Sequence, residues 1–219
     1  STIDKNHLYI NYADIEDKTY NISDEDKRFN LQFYNRYFMD GNQTLESKLG
    51  TLIEYGVFSI EVPSYITTNL NPKFSLRPYQ VEAFARFIYH SLEDKHRVFP
   101  TQLLFHMATG SGKTMMMAGC MLHLYELGYR NFIFFVNSNT IIEKTRDNFL
   151  NDVSTKYLFA ETISIAEQRI NVKEVDSFEG ANEDDINIVF TTIHGLHSDL
   201  NNPKENSLTY EDFEDQKIV

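Results

Sequence analysis

The sequence predicts an α/β fold in which a mostly parallel sheet is flanked by helices, preceded by a small N-terminal segment. Three observations carry that expectation. Gln102-Leu103-Leu104-Phe105-His106 reads as a buried strand and runs into Met107-Ala108-Thr109-Gly110-Ser111-Gly112-Lys113-Thr114, a glycine-bearing loop that opens an apolar helix. Residues 131–136 are a short continuous apolar run, the pattern of a strand buried on both faces, and residues 185–192 read as a further buried strand. Stretches with helical spacing separate these runs, and strands that alternate with helices pair in parallel through crossovers.

The loop is the element with the clearest chemistry. Its glycines let backbone N–H groups converge on phosphate oxygens, and the helix that follows adds its partial positive end. Thr109, Gly110, Ser111 and Gly112 would form the cradle, Lys113 would reach the β- and γ-phosphates, and the Thr114 hydroxyl would face Mg²⁺. The general pattern asks for glycine at position 107, where this chain has Met107.

Composition bounds the rest. The 219 residues are enough for one large or two small domains, and 42% hydrophobic with 24% charged residues describes a globular chain. No run of eighteen apolar residues occurs and no secretory pattern opens the chain, so a cytoplasmic location without membrane contact is expected. Cys120 stands alone inside the apolar helix and reads as a small buried residue. The net charge of −12 is uneven: residues 1–75 carry −4, residues 76–150 carry +2 and residues 151–219 carry −10. Any nucleic-acid contact must therefore be local, since no broad basic field exists.

In chain order, Ser23 with Asp24, Glu25 and Asp26 resembles a helix start, and Phe29, Phe33 and Tyr37 recur as a core stripe. A second helix is expected around residues 45–53 and a strand over 55–62, stopped by Pro63. Pro78 suits the first turn of an amphipathic helix bearing Val81, Phe84, Ala85, Ile88 and Leu92. Arg77 and Gln80 sit at its start, where a glutamine amide could read an adenine edge or simply face solvent. Lys113 to Leu127 forms the next helix, with Gly128 placed to end it.

After the strand at 131–136, Thr140 and Glu143 form a capping box for a helix through Leu150. Ser138 and Asn139 lie in the polar turn before it, at a strand's carboxyl end, where open α/β sheets bind ligands; ordinary capping is the other reading. Residues 155–170 suggest a strand, best placed at 160–165, and a helical stretch. Residues 173–185 read as an exposed acidic loop. Thr191 and Thr192 again put hydroxyls at a strand's carboxyl end. His194 and His197 lack the partners that would complete a metal set. Residues 201–215 are a polar, acidic excursion, and Lys217-Ile218-Val219 opens one more strand.

Leu76-Arg77-Pro78-Tyr79-Gln80, the glycine loop, Phe135-Val136-Asn137-Ser138 and Phe190-Thr191-Thr192-Ile193 together resemble the first RecA-like domain of superfamily 2 helicases. The likeness is nearest to the Res (restriction) subunit of type III restriction–modification enzymes, where Met-Ala-Thr-Gly-[Ser/Thr]-Gly-Lys-Thr is the usual loop. It covers residues 74–219 as the P-loop NTPase domain and leaves 1–73 as an accessory segment. It implies ATP and Mg²⁺ as cofactors, with Gln80 and Arg77 on adenine, residues 109–114 on the phosphates, Lys113 and Thr114 as the catalytic positions and Thr114 on the metal. Ser138, Asn139, Thr191 and Thr192 would touch one DNA strand. The partners implied are double-stranded DNA and a modification methyltransferase subunit.

The Asp-Glu-Ala-His motif of that family, expected after a strand such as 217–219, does not occur in the chain. The expectation is an N-terminal fragment of a larger ATP-dependent motor, able to bind nucleotide but not to hydrolyse it. An RNA or repair helicase core would share these residues. So would a nucleotide-binding regulatory or interaction module.

Overall fold

The computed structural model describes residues 50, 60–92, 101–215 and 217–219. The helices expected at residues 23–40 and 45–53 and most of the strand at 55–62 lie outside them. Contacts group the chain into two units, one of residues 1–61 and 78–104 and one of residues 62–77 and 105–219.

In the first unit the described element is helix α2 (Pro78–Leu92), numbered after a short helix α1 (Ser64–Thr67) of the second unit. Pro78 occupies its first turn as expected, where a missing N–H has no cost. The buried residues are Gln80, Phe84, Ala85, Phe87, Tyr89 and His90. The stripe is thus turned from the expected one: Leu92 is exposed, and Gln80 is buried rather than facing solvent. An ion pair between Glu82 and Arg86, one turn apart, supports the outer side.

The second unit contains helix α3 (Lys113–Glu126), strand β1 (Asn131–Val136), helix α4 (Asn139–Leu150), strands β2 (Ile163–Ile165), β3 (Gln168–Ile170), β4 (Val172–Glu174) and β5 (Ile186–Thr192), and helices α5 (Ile193–Asn201) and α6 (Tyr210–Asp215). Its main sheet has the order β1-β5-β4 with every pair parallel. Residues 217–219 add to the far side of β1: Val219 N donates to Asn131 O at 3.0 Å and Ile133 N to Val219 O at 2.8 Å. The strand opening expected there is present.

Alternation along β1 and β5 sends side chains to two covered faces. On one, Phe134 and Phe190 are register partners with ring centroids 5.7 Å apart. Phe149 of α4 meets Phe190 at 6.4 Å and Phe159 at 5.7 Å. Full burial of an aromatic such as Phe149 (1% exposed) is worth about 2–3 kcal/mol. On the other face Phe178, Val189 and Leu208 form a core with Ile133, Leu196 and Ile218 against it. This is the α/β arrangement of a parallel sheet flanked by helices, as in a RecA-like domain. Phe135, however, is 50% exposed, so β1 is not buried on both faces along its whole length.

Several local expectations change. Residues 102–106 form no strand, and Leu104 is 91% exposed. A strand exists only through a ladder, and residues 102–106 pair with no strand among the described residues. The helix expected within 155–170 is instead the antiparallel hairpin of β2 and β3. Residues 173 and 174, expected in a loop, belong to β4 (Val172–Glu174), and residues 193–201 and 210–215 are helical. The N-cap of α4 is Ser138, two residues before the expected Thr140, and Glu143 pairs with Arg146 instead of closing a capping box. The end of α3 matches expectation. Gly128 has φ of +91°, its N–H donates to Tyr125 O at 2.9 Å, and Tyr129 N donates to Leu124 O at 2.9 Å, the full αL stop.

Two polar clusters fix the unit. Buried Asn69 bonds Tyr65 O and Ser164 O through Nδ2 and accepts from Ser164 N, each at 2.8 Å, which ties residues 62–77 to the hairpin. Asp185, 2% exposed, accepts from Asn171 N, Asn171 Nδ2, Asn182 Nδ2 and Lys173 Nζ. Burial alone would raise its pKa, but the bonds from Lys173 and Asn171 outweigh it and hold the carboxyl below its ordinary range.

Candidate functional site

The glycine loop reaches α3 through two residues that need left-handed backbone, Gly110 (φ +80°) and Gly112 (φ +86°). Gly112 is the N-cap of α3 and no side chain caps that end. Its carbonyl accepts the first intrahelical bond from Met116 N at 3.1 Å. The N–H groups of Lys113, Thr114 and Met115 thus form an uncapped helix start, where an anion is favoured. The loop is braced from within. Ser111 N and Ser111 Oγ donate to Ala108 O at 3.3 and 2.6 Å. Lys113 Nζ donates to Met107 O at 3.2 Å and Ala108 O at 2.8 Å, so the ammonium lies along the loop it would serve. Thr109 and Gly110 are exposed, and Thr114 is half-buried.

Behind the loop, α3 is held as a rigid post. Met115, Met116, Ala118, Met121, Leu122 and Tyr125 are all buried, and Tyr125 Oη donates to Asp184 O at 2.8 Å. His123, with no exposed surface, shares a 2.7 Å hydrogen bond between Nδ1 and Tyr65 Oη. Burial lowers its pKa to about 4, so the ring is neutral. Burial likewise pushes the Cys120 thiol up to about 12, which leaves it unreactive at neutral pH.

The two polar turns are brought together by strand register. Val136 lies opposite Thr192 and Phe135 opposite Thr191, so the ends of adjacent parallel strands carry Ser138 and Asn139 beside Thr191 and Thr192. Ser138 caps α4 through its backbone: its carbonyl accepts from Ile141 N at 3.1 Å and Ile142 N at 3.2 Å, and its hydroxyl makes no cap bond. Asn139 is exposed. Thr192 caps α5, its Oγ1 accepting from Gly195 N at 2.9 Å. Exposed Phe135, Ile141 and Ile193 occupy the same ends of β1, α4 and α5.

Sequence reasoning passed over Gly195. A Cβ at that position would lie 2.5 Å from Thr191 Oγ1 and 3.2 Å from Thr192 Oγ1, so this glycine sets the space for both hydroxyls. The signal was a glycine three residues beyond a threonine N-cap, where a side chain is usual. Arg77 is exposed in the unit that holds the loop, while Gln80 is buried in α2 of the other unit. His194 and His197 are exposed on α5. No group of three or more metal-binding side chains occurs among the described residues, and none of their helices is long and apolar enough to cross a membrane.

A parallel sheet of this order with a glycine loop opening a buried helix defines an α/β domain. The family model for the type III restriction enzyme Res subunit matches residues 73–219, and the chain belongs to that family. It is also 38% identical over 164 residues to the probable type III restriction-modification enzyme HindVIP Res subunit of Haemophilus influenzae, a match that takes in 72% of this chain. The chain spans about a third of that relative's length, 31%. No solved structure matches.

Proposed function

We propose that the chain is the ATP-binding part of an ATP-dependent DNA translocase subunit of a type III restriction endonuclease, acting in the cytoplasm with a modification methyltransferase subunit. The observation that carries the reading is the uncapped N-terminus of α3 behind left-handed Gly110 and Gly112, with Lys113 already at the loop. Such a start offers several N–H donors and a positive helix end to a polyphosphate. In this reading Thr109, Gly110, Ser111 and Gly112 cradle the phosphates, and Lys113 leaves Met107 O and Ala108 O for phosphate oxygens. The Thr114 hydroxyl, a hard oxygen donor in the first turn, suits Mg²⁺, whose part is to neutralise phosphate charge. Arg77, exposed in the unit that holds the loop, serves the adenine. Ser138, Asn139, Thr191 and Thr192 bind one strand of DNA through short polar contacts at the sheet's carboxyl end. Residues 74–219 form the motor domain and 1–73 an accessory segment.

The 219 residues contain no Asp-Glu-x-His sequence, which supports binding without turnover for this chain taken alone. Calorimetric titration with Mg-ADP tests the site: wild type should bind, and Lys113→Ala should lose about 100-fold in affinity, near 2.7 kcal/mol. A folded wild type that stays silent would overturn the reading. Multiple-turnover ATP hydrolysis that Lys113→Ala abolishes would overturn the expectation of binding alone.

A further inference from the structure

At the amino-terminal ends of β1 and β5, the opposite ends from the turns above, lies a cavity of about 390 Å³. It abuts the far end of α3 from the glycine loop. The helix has 14 residues, which at about 1.5 Å each puts roughly 20 Å between the two places. Two cations line it, Arg130 and Lys217, against the single carboxylate of Glu183. Arg130 is held firmly in place. Nε donates to Glu183 O at 2.8 Å, Nη1 donates to Tyr125 O at 2.7 Å and Tyr129 O at 3.1 Å, and the guanidinium carbon sits 3.6 Å from the centre of the Tyr125 ring. These bonds leave the N–H groups of Nη2. Lys217 Nζ stands 5.9 Å from the centre of the Tyr129 ring. Among the described residues neither cation pairs with a carboxylate, in a protein whose net charge is −12.

The remaining wall combines polar Asn131 and Asn187 with apolar Phe178 and Ala181. Asn187 Nδ2 donates to Asn131 Oδ1 at 3.2 Å and Asn182 O at 2.9 Å, while buried Asn187 Oδ1 accepts from no group among the described residues. Gly128 and Gly180, both with left-handed φ, line the cavity with bare backbone. A pinned guanidinium with donors to spare costs little ordering entropy when it meets an acid group, and a site of this volume suits a small molecule.

We propose that this cavity binds a small organic anion, its acid group between Arg130 and Lys217 and its body in the space bounded by Gly128 and Gly180. The site is separate from the glycine loop and does not depend on the nucleotide-binding role of that loop. Carboxylate probes keep the loop out of the readout. Amide resonances of Gly128, Gly180 and Ala181 would be followed by NMR during titration of the whole chain with benzoate and with neutral benzamide. Benzoate should shift them saturably and benzamide should not. Lys217→Glu, a change at an exposed side chain, should weaken benzoate binding at least about tenfold by reversing the charge. Ala181→Leu, which fills the cavity without touching charge, should abolish it. Unmoved resonances in a folded protein, equal shifts from benzamide, or unchanged affinity in Lys217→Glu would each overturn the proposal.

Discussion

The glycine loop and the Asp185 cluster are both built from polar groups near α3, yet they are organised in opposite ways. At the loop one ammonium bends back onto two carbonyls, and the lysine stays exposed. At Asp185 one carboxylate takes four bonds from three residues and is 2% exposed. The first arrangement is easily undone and the second is sealed. The lysine that must exchange partners is kept in water's reach, and the carboxylate that only fixes the fold is buried with its partners supplied.

Substitutions should separate the two. The largest effect on stability belongs to Asp185→Ala, which removes the acceptor of four bonds from Asn171, Asn182 and Lys173. We expect a loss of roughly 2–4 kcal/mol in denaturant unfolding from the lost bonds to a charged acceptor, and a loss below about 1 kcal/mol would show that the cluster does not fix the fold. Next comes acid sensitivity through His123. Its folded pKa of about 4 lies below the ordinary 6.5, so the unfolded chain binds the proton first and stability falls as pH drops through that window. The full contribution is about 3 kcal/mol. In unfolding curves from pH 7 to pH 4, His123→Leu should lack this segment of the slope; identical slopes would remove His123 as the cause.

At the loop, Lys113→Ala should keep the melting temperature within about 2 °C, in line with an exposed side chain, while Mg-ADP binding is lost. A large drop in melting temperature would place Lys113 with the sealed kind. The smallest effect is Gly195→Ala. Helix propensity alone would favour alanine by about 1 kcal/mol, but a Cβ 2.5 Å from Thr191 Oγ1 should turn the balance to a loss of about 1 kcal/mol. A gain in stability would mean that Thr191 moves aside freely.

The sequence was most legible where one local rule had no competitor. Residues 131–136 and 186–192 are strands because β-branched and aromatic runs of that length have nowhere else to go, and Gly128 ends α3 by the conformation expected of it. It was least legible where partners decide. Residues 102–106 have a strand's composition but no ladder. The β2–β3 hairpin turns on Ala166 and Glu167 at φ +51° and +65°, residues that carry no turn signal, so its register comes from Ile163, Ile165 and Ile170 being buried. In α5 the glycine and two histidines hid a helix that Thr192 caps. Of the site, the loop and the two strand-end turns could be read in advance, because their chemistry is local. The burial of Gln80 and the close approach of Gly195 could not, because both are set by residues distant in sequence or by backbone geometry.

The Asn69 clamp bears on where this domain can be cut. The family match begins at residue 73, yet Asn69, Leu70 and Ile66 lie upstream of it and are buried against the unit that holds the glycine loop. A chain started at residue 74 would leave Ser164 N without its acceptor and would remove the Leu70 bridge to Phe159. It would also take Tyr65 from His123, at the back of the helix that presents Lys113. A piece that keeps these contacts therefore includes residues 62–72, upstream of where the family match begins.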